Sequence, residues 1–200
     1  LLTQALADGG EQRPAVIEAL GNLGDTNAIP LLLPLLDDGQ KEVRAKAAEA
    51  LGMIGDGATV KPLMRTAEED GDVSTRLRAC AALGMIGDRR GQEVIIRALP
   101  TLGADRQEAV WALGHIGDSN AIPVLAQMLD HSSRETRFAA AYALAEIGGT
   151  AAAEALVPKL RDTDEYARHG KACAIVMLGR TNGLPTVRQS LARSEEHTSE

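Results

Sequence analysis

Apolar residues recur along this chain every three or four positions, in paired short segments. Between Ala28 and Asp37, Ile29, Leu32, Leu33 and Leu36 fall at helical spacing and predict a first helix. Asp38-Gly39-Gln40 interrupts it with turn residues. From Lys41 to Ile54 a second stripe, Val43, Ala47, Ala48, Leu51 and Ile54, predicts a longer helix. Gly55 stands where a left-handed residue closes a helix. Asp56 stands where a carboxylate can accept the first free amides of the next one. The punctuation returns at Gly24, Gly87, Gly117 and Gly148 for the stop, and at Asp25, Asp88 and Asp118 for the cap.

The pattern is a repeat. One phrase recurs as Ala19-Leu-Gly-Asn-Leu-Gly-Asp25, Ala50-Leu-Gly-Met-Ile-Gly-Asp56, Ala82-Leu-Gly-Met-Ile-Gly-Asp88 and Ala112-Leu-Gly-His-Ile-Gly-Asp118. Looser copies begin at Ala143 and Ala174. Six residues before each leading alanine stands an arginine: Arg13, Arg44, Arg76, Arg106, Arg137 and Arg168, spaced 31, 32, 30, 31 and 31 residues apart. Such a period marks a chain whose units bury their apolar faces against their neighbours. Gly52, Gly84 and Gly114 sit inside the second helix, where glycine costs about 1 kcal/mol against alanine. Their recurrence predicts close backbone approach between neighbouring units.

The columns resemble HEAT repeats, and specifically the short bacterial HEAT-like class named after phycobilisome lyase subunits. Pro30, Pro62 and Pro123 lie fourteen residues before Arg44, Arg76 and Arg137, and Asp38, Asp70 and Asp162 lie six before Arg44, Arg76 and Arg168. Gln92 and Glu154 depart from the proline column. Pro100 and His131 depart from the aspartate column, with Asp130 one residue early. The resemblance implies an all-α fold, an α-solenoid wound as a right-handed superhelix of about six two-helix units. Stacking then brings each aspartate near arginines of its own and an adjacent unit, a ladder of Arg13, Arg44, Arg76, Arg106, Arg137 and Arg168 with Asp38, Asp70 and Asp162. An arginine row that binds an anion is the alternative.

The repeat array is expected over residues 1–192, as a piece of a longer solenoid cut at both ends. Residues 1–7 read as the tail of a first helix and 183–191 as the first helix of a seventh unit, with Pro185 in its opening turn. Residues 193–200 form a polar tail that resembles a translated adaptor, and are expected to be non-native or disordered.

In a HEAT solenoid the second helices line the concave side. Counting from each arginine, positions +3, +4, +7 and +10 face the core, and +1, +2, +5 and +9 face the groove. The groove positions are apolar for a wet surface. Position +5 carries Trp111 and Tyr142, position +9 carries Met53, Met85 and His115, and position +1 carries Phe138. Trp111, His115, Phe138, Tyr142, Met85 and Met53 are therefore the candidate binding residues. Exposed apolar patches mark contact sites, and Trp and Tyr dominate their energetics. Packing between neighbouring helices would account for the same residues.

Composition narrows the chemistry. Aromatics make up 2% of the chain, so the core must be built of Ala, Leu, Ile and Val. The net charge of −7 argues against nucleic acid as partner. No apolar run reaches the length of a membrane span. Cys80 and Cys173 have no metal-ligand spacing, and no hydrolytic triad, phosphate loop or dinucleotide motif occurs. The expectation is a non-catalytic scaffold with a protein partner and no metal or cofactor. A phycobilin lyase-like chromophore handler is one alternative, with Cys173 and a histidine beside an apolar groove. An oxidoreductase like deoxyhypusine hydroxylase is another, without the His-Glu pairs that hold its irons. An alkylpurine glycosylase fits least, because Lys46 and Arg78 face Glu18, Glu49, Glu108 and Glu146. Localisation is open, with the cytoplasm favoured.

Overall fold

A computed structural model describes residue 6 and residues 12–103, 106–160 and 162–179. The expected seventh unit and the polar tail lie outside the described residues, as does most of the expected first helix. Among the described residues every regular element is helical, and the fold class is an all-α solenoid of helix pairs. The chain divides into two compact units, residues 1–98 and 99–200.

Unit 1 contains α1 (Arg13–Leu23), α2 (Ile29–Leu32), α3 (Lys41–Ile54), α4 (Val60–Glu69), α5 (Val73–Ile86) and α6 (Arg90–Ala98). The second helices α1, α3 and α5 pack in sequence, and α4 and α6 cover α5. The first helix expected at Ala28–Asp37 is broken: after Leu32 the chain tightens into a 3-10 segment, Leu33–Asp37. Pro34 lies in that segment and has no N–H to donate to the α-helical ladder. Helix α3 spans the expected Lys41–Ile54. Val43, Ala47, Ala48 and Leu51 are buried, and Ile54 is half-buried. Leu77, expected on the groove face, is instead buried in the core.

Unit 2 contains α7 (Arg106–Ile116), α8 (Ile122–Met128), α9 (Arg134–Ile147), α10 (Gly149–Leu156) and α11 (Glu165–Leu178). The second helices α7, α9 and α11 pack in order. Buried Leu113, Leu125, Leu129, Leu144 and Leu156 fill its interior.

The helix ends follow the sequence. Asp25, Asp56 and Asp118 accept from the backbone of Asn27, Ala58 and Asn120. Gly55 ends α3 with φ 75°, ψ 17°, a left-handed residue that any side chain would strain. Gly148 differs: its ψ of −167° takes the chain out of the left-handed well and straight into α10.

Glycines in the second helices set the spacing. A Cβ on Gly21 would lie 2.7 Å from Ala50 Cα, on Gly52 2.6 Å from Ala82 Cα, and on Gly114 2.7 Å from Ala143 Cα. Each glycine thus receives the leading alanine of the next repeat phrase, which lets the two backbones approach more closely than any side chain allows.

Candidate functional site

Arg44 and Arg137 of the arginine column each reach both ways, to their own turn and to the aspartate of the next repeat. Arg13 donates to Asp38 at 2.6 Å. Arg44 grips Asp70 with two nitrogens, at 2.7 and 2.9 Å, and donates a third bond to the Asp38 carbonyl at 3.0 Å. Arg76 donates to the Asp70 carbonyl at 2.7 Å. In unit 2, Arg137 holds both oxygens of Asp162 at 2.8 and 3.0 Å and donates to the His131 carbonyl. Arg168 donates to the Asp162 carbonyl at 3.1 Å. Each aspartate also accepts from the amide two residues on, as in Gln40 to Asp38 and Asp72 to Asp70. Asp38 is held below the ordinary carboxylate range by the Gln40 amide first and then Arg13, and Asp70 chiefly by Arg44.

Pro100 and His131 stand where two rungs would carry aspartate. His131 takes the aspartate's place, with Nε2 2.9 Å from Arg106 Nη1 and Nδ1 3.1 Å from the Ser133 amide. Both ring nitrogens face donors, whereas a neutral imidazole has a single acceptor. Burial first, then Arg106 and Arg137, push the imidazole below its ordinary value, so it stays neutral and gives Arg106 no negative charge of its own. His131→Asp supplies two acceptors and a negative charge. It is expected to stabilise unit 2 by about 1 kcal/mol, the scale of a charged hydrogen bond in a half-exposed site. A urea midpoint no higher than wild type refutes that account.

Lys171 was invisible to column reading as a charged core residue. It occupies a +3 position where four of the other units carry Ala47, Ala79, Ala109 and Ala140, all buried. It is itself 2% exposed. Its ammonium lies 3.0 Å from Asp162 Oδ2 and 3.4 Å from the Leu129 carbonyl. A lysine in an alanine column was the available signal.

The groove face has opposite chemistry in the two units. In unit 1 it is charged and internally paired: Lys46 bridges Glu18 at 3.0 Å and Glu49 at 3.3 Å, and Arg78 reaches Glu49 at 3.2 Å. Met53 and Met85 stand exposed in this unit, 37% and 56%. Their sulfurs lie over Gly21 and Gly52.

In unit 2 the face is aromatic. Trp111 on α7 lies 5.7 Å from Tyr142 and 6.5 Å from Phe138, both on α9. Phe138 stacks on Tyr142 at 4.9 Å and on Tyr166 of α11 at 4.5 Å. The indole also stacks on His115 at 6.4 Å, and His115 Nδ1 lies 3.2 Å from Glu146. Arg134 sits over the Tyr166 ring. Trp111, Phe138 and Tyr142 are half-buried, and Tyr166 and His115 are exposed. Tyr166 lies two residues before its repeat arginine, outside the groove positions, and so escaped the sequence reading. Gly170 makes room for the array: a Cβ there would collide with the Phe138 ring. Among the described residues, no cluster of three His, Cys, Asp or Glu is placed to hold a metal ion. Among the same residues, no helix is long and apolar enough to cross a membrane.

The HEAT-repeat family pattern matches residues 1–73 and 103–175. Comparison with curated proteins gives no match. Among solved structures, a chain from the complex of CpcE and CpcF of phycocyanin lyase from Nostoc sp. PCC7120 is 25% identical. The match covers 93% of this chain and 79% of that one, with a TM-score of 0.63. An engineered protein is 23% identical, over 90% and 95% of the two chains, with a TM-score of 0.55. A designed armadillo repeat protein in complex with the peptide (KR)4 is 19% identical, over 88% and 98%, with a TM-score of 0.56. The last two share the fold.

Proposed function

This chain belongs to the HEAT-repeat family, and from that premise we propose that it is a non-catalytic scaffold that holds a partner protein against the second-helix face of unit 2. The observation that carries the reading is the ring array. Four of the chain's aromatic side chains gather on one face, and none is fully buried. A core role would bury them, and a purely solvated face would not collect them. Trp111, Phe138, Tyr142 and Tyr166 are the contact residues, with His115 and Glu146 at the margin. Met53 and Met85 offer a separate, adaptable contact in unit 1. The arginine–aspartate ladder holds repeat register rather than an anion, because its guanidinium groups already face carboxylates and carbonyls.

Trp111 is the chain's sole tryptophan, so its emission reports directly on this face. A partner recovered with the wild-type chain should change that emission on binding. Replacing Trp111 and Tyr142 together by Ala should weaken the complex at least about 30-fold, the effect of losing one strong hot spot. The helical circular dichroism should persist. Tyr166→Ala removes an exposed ring and gives a second, less invasive variant. Wild-type affinity in both would refute the site.

A second reading follows from the likeness to the phycocyanin lyase chain. A stacked aromatic face also suits a flat conjugated chromophore, so the chain could handle a phycobilin. Mixing with a free phycobilin should then shift its visible absorption, and an unchanged spectrum eliminates this reading.

A further inference from the structure

The joint between α7 and α9 is closed by an imidazole that copies a carboxylate. At Asp70 one oxygen takes Arg44 Nε, and the other takes Arg44 Nη2 and the Asp72 amide. At His131 the two ring nitrogens stand in the same places, Nε2 toward Arg106 and Nδ1 toward the Ser133 amide. The copy holds only while the ring has a lone pair to offer. A carboxylate keeps its acceptors throughout the range near neutrality. Imidazole takes up a proton in that range and then has two N–H donors and no acceptor. Among the described residues no other rung carries such a group: Asp38, Asp70 and Asp162 fill three, and Pro100, with no polar side chain, fills a fourth.

The described surroundings would not answer the added charge. The charges that act on the ring are the guanidinium groups of Arg106 on α7 and Arg137 on α9. The carboxylates on either side are engaged elsewhere. Lys159 bridges Asp130 at 2.7 Å, and Arg134 and the Ser133 hydroxyl hold Glu135 at 2.9 Å each. From α11, Lys171 reaches the Leu129 carbonyl and brings a further cation. Burial first, and then the two arginines, hold the ring below its ordinary value of 6.5, so the folded chain binds this proton less readily than the unfolded chain. The contribution of this joint to stability is complete above 6.5 and is lost as pH falls below it.

The same two helices carry the ring array. Arg106 is the first residue of α7, which bears Trp111, and His131 lies in the turn before α9, which bears Phe138 and Tyr142. Trp111 meets those two rings from one helix to the other, at 6.5 and 5.7 Å. We propose that His131 is an acid-sensitive latch: a proton on its ring sets a donor against both Arg106 and the Ser133 amide, loosens α7 against α9, and opens the contact of Trp111 with Phe138 and Tyr142. Near neutral pH the latch is closed and the array is held together. In mild acid the rings are released to solvent. The latch stands apart from the scaffold reading, because its readouts need no partner.

The test follows the emission of Trp111 in the full chain from about pH 7.5 down to about pH 5.5, above the range in which ordinary carboxylates take up protons. His115 stacks on the indole and would report its own proton, so every protein compared carries His115→Gln. In this parent the urea midpoint should fall as pH falls, and acrylamide should quench the emission more strongly at the acid end. His131→Gln keeps a neutral polar side chain that does not titrate, and His131→Asp restores the carboxylate of the other rungs. Both should hold the midpoint and the quenching level across the range. His169→Gln removes the remaining described histidine and should leave the decline in place. A midpoint that stays level in the parent, a fall of equal size in His131→Gln, a fall that disappears with His169 instead, or quenching that does not change with pH overturns the proposal.

Discussion

Asp162→Ala is expected to destabilise unit 2 by about 3–5 kcal/mol, the cost of leaving buried charge without its counter-ion. Asp162 accepts from Arg137 twice, from Lys171 at 3.0 Å and from the Asp164 amide at 3.0 Å. The side chains of Asp162 and Lys171 are 5% and 3% exposed, so water cannot replace the lost carboxylate. Removing the lysine has a different outcome. Lys171→Met leaves Asp162 paired to Arg137 and fills an alanine-column position with an apolar chain, so stability should change by no more than about 1 kcal/mol. The double variant should recover part of the loss of Asp162→Ala. Urea unfolding of the three proteins checks the asymmetry, and equal losses for the two single variants would refute it.

The same group sets an acid limit. Arg137 foremost, with the Asp164 amide and Lys171, holds the Asp162 carboxyl far below the ordinary carboxylate range. The folded state therefore binds its proton less readily than the unfolded chain. The stabilisation is complete above the ordinary value of 3.8 and is lost as pH falls below it. Urea midpoints measured downward from pH 5 should decline more steeply in wild type than in Asp162→Asn.

Gly52→Ala is expected to destabilise unit 1 by about 1–2 kcal/mol, although helix propensity alone favours alanine by about 1 kcal/mol. The added Cβ would stand 2.6 Å from Ala82 Cα and 2.7 Å from its Cβ. Backbone cannot swing aside as a long side chain does, so α3 and α5 must separate and loosen the contacts along their length. Overpacking of that kind costs about 1–3 kcal/mol before relaxation and exceeds the propensity gain. Gly57→Ala is the control, since nothing lies within 4 Å of its Cβ position, and should stay within about 0.5 kcal/mol of wild type. A rise in thermal midpoint for Gly52→Ala would refute the close-approach account.

Periodicity carried most of the fold. The arginine, aspartate and glycine columns located α3, its stop and the Asp56 cap of the segment that follows within a residue, because helix ends obey short-range rules. Pro34 broke a helix that periodicity alone had made continuous. The ring array was only half legible. Trp111, Phe138 and Tyr142 fell at groove positions, but whether they were exposed depended on interhelix distance, which no column encodes. Tyr166 entered because α11 packs on α9, where Gly170 leaves room for the Phe138 ring. Lys171 hid because a helical wheel assigns faces by identity at other copies, not by charge at the one that deviates.

The alanine–leucine–glycine core of each phrase has a consequence for how such chains grow. In the phrase at 50–56 the alanine is the knob that Gly21 receives, and Gly52 is the hole for Ala82. The aspartate and arginine of a unit divide in the same way, one answering the unit before and one the unit after. A tandem duplication of one unit therefore copies both halves of a matched joint at once. The new neighbour fits without a compensating change. The identical heptads at 50–56 and 82–88 have the form such growth would copy, and His131 stands at a joint whose aspartate half is replaced.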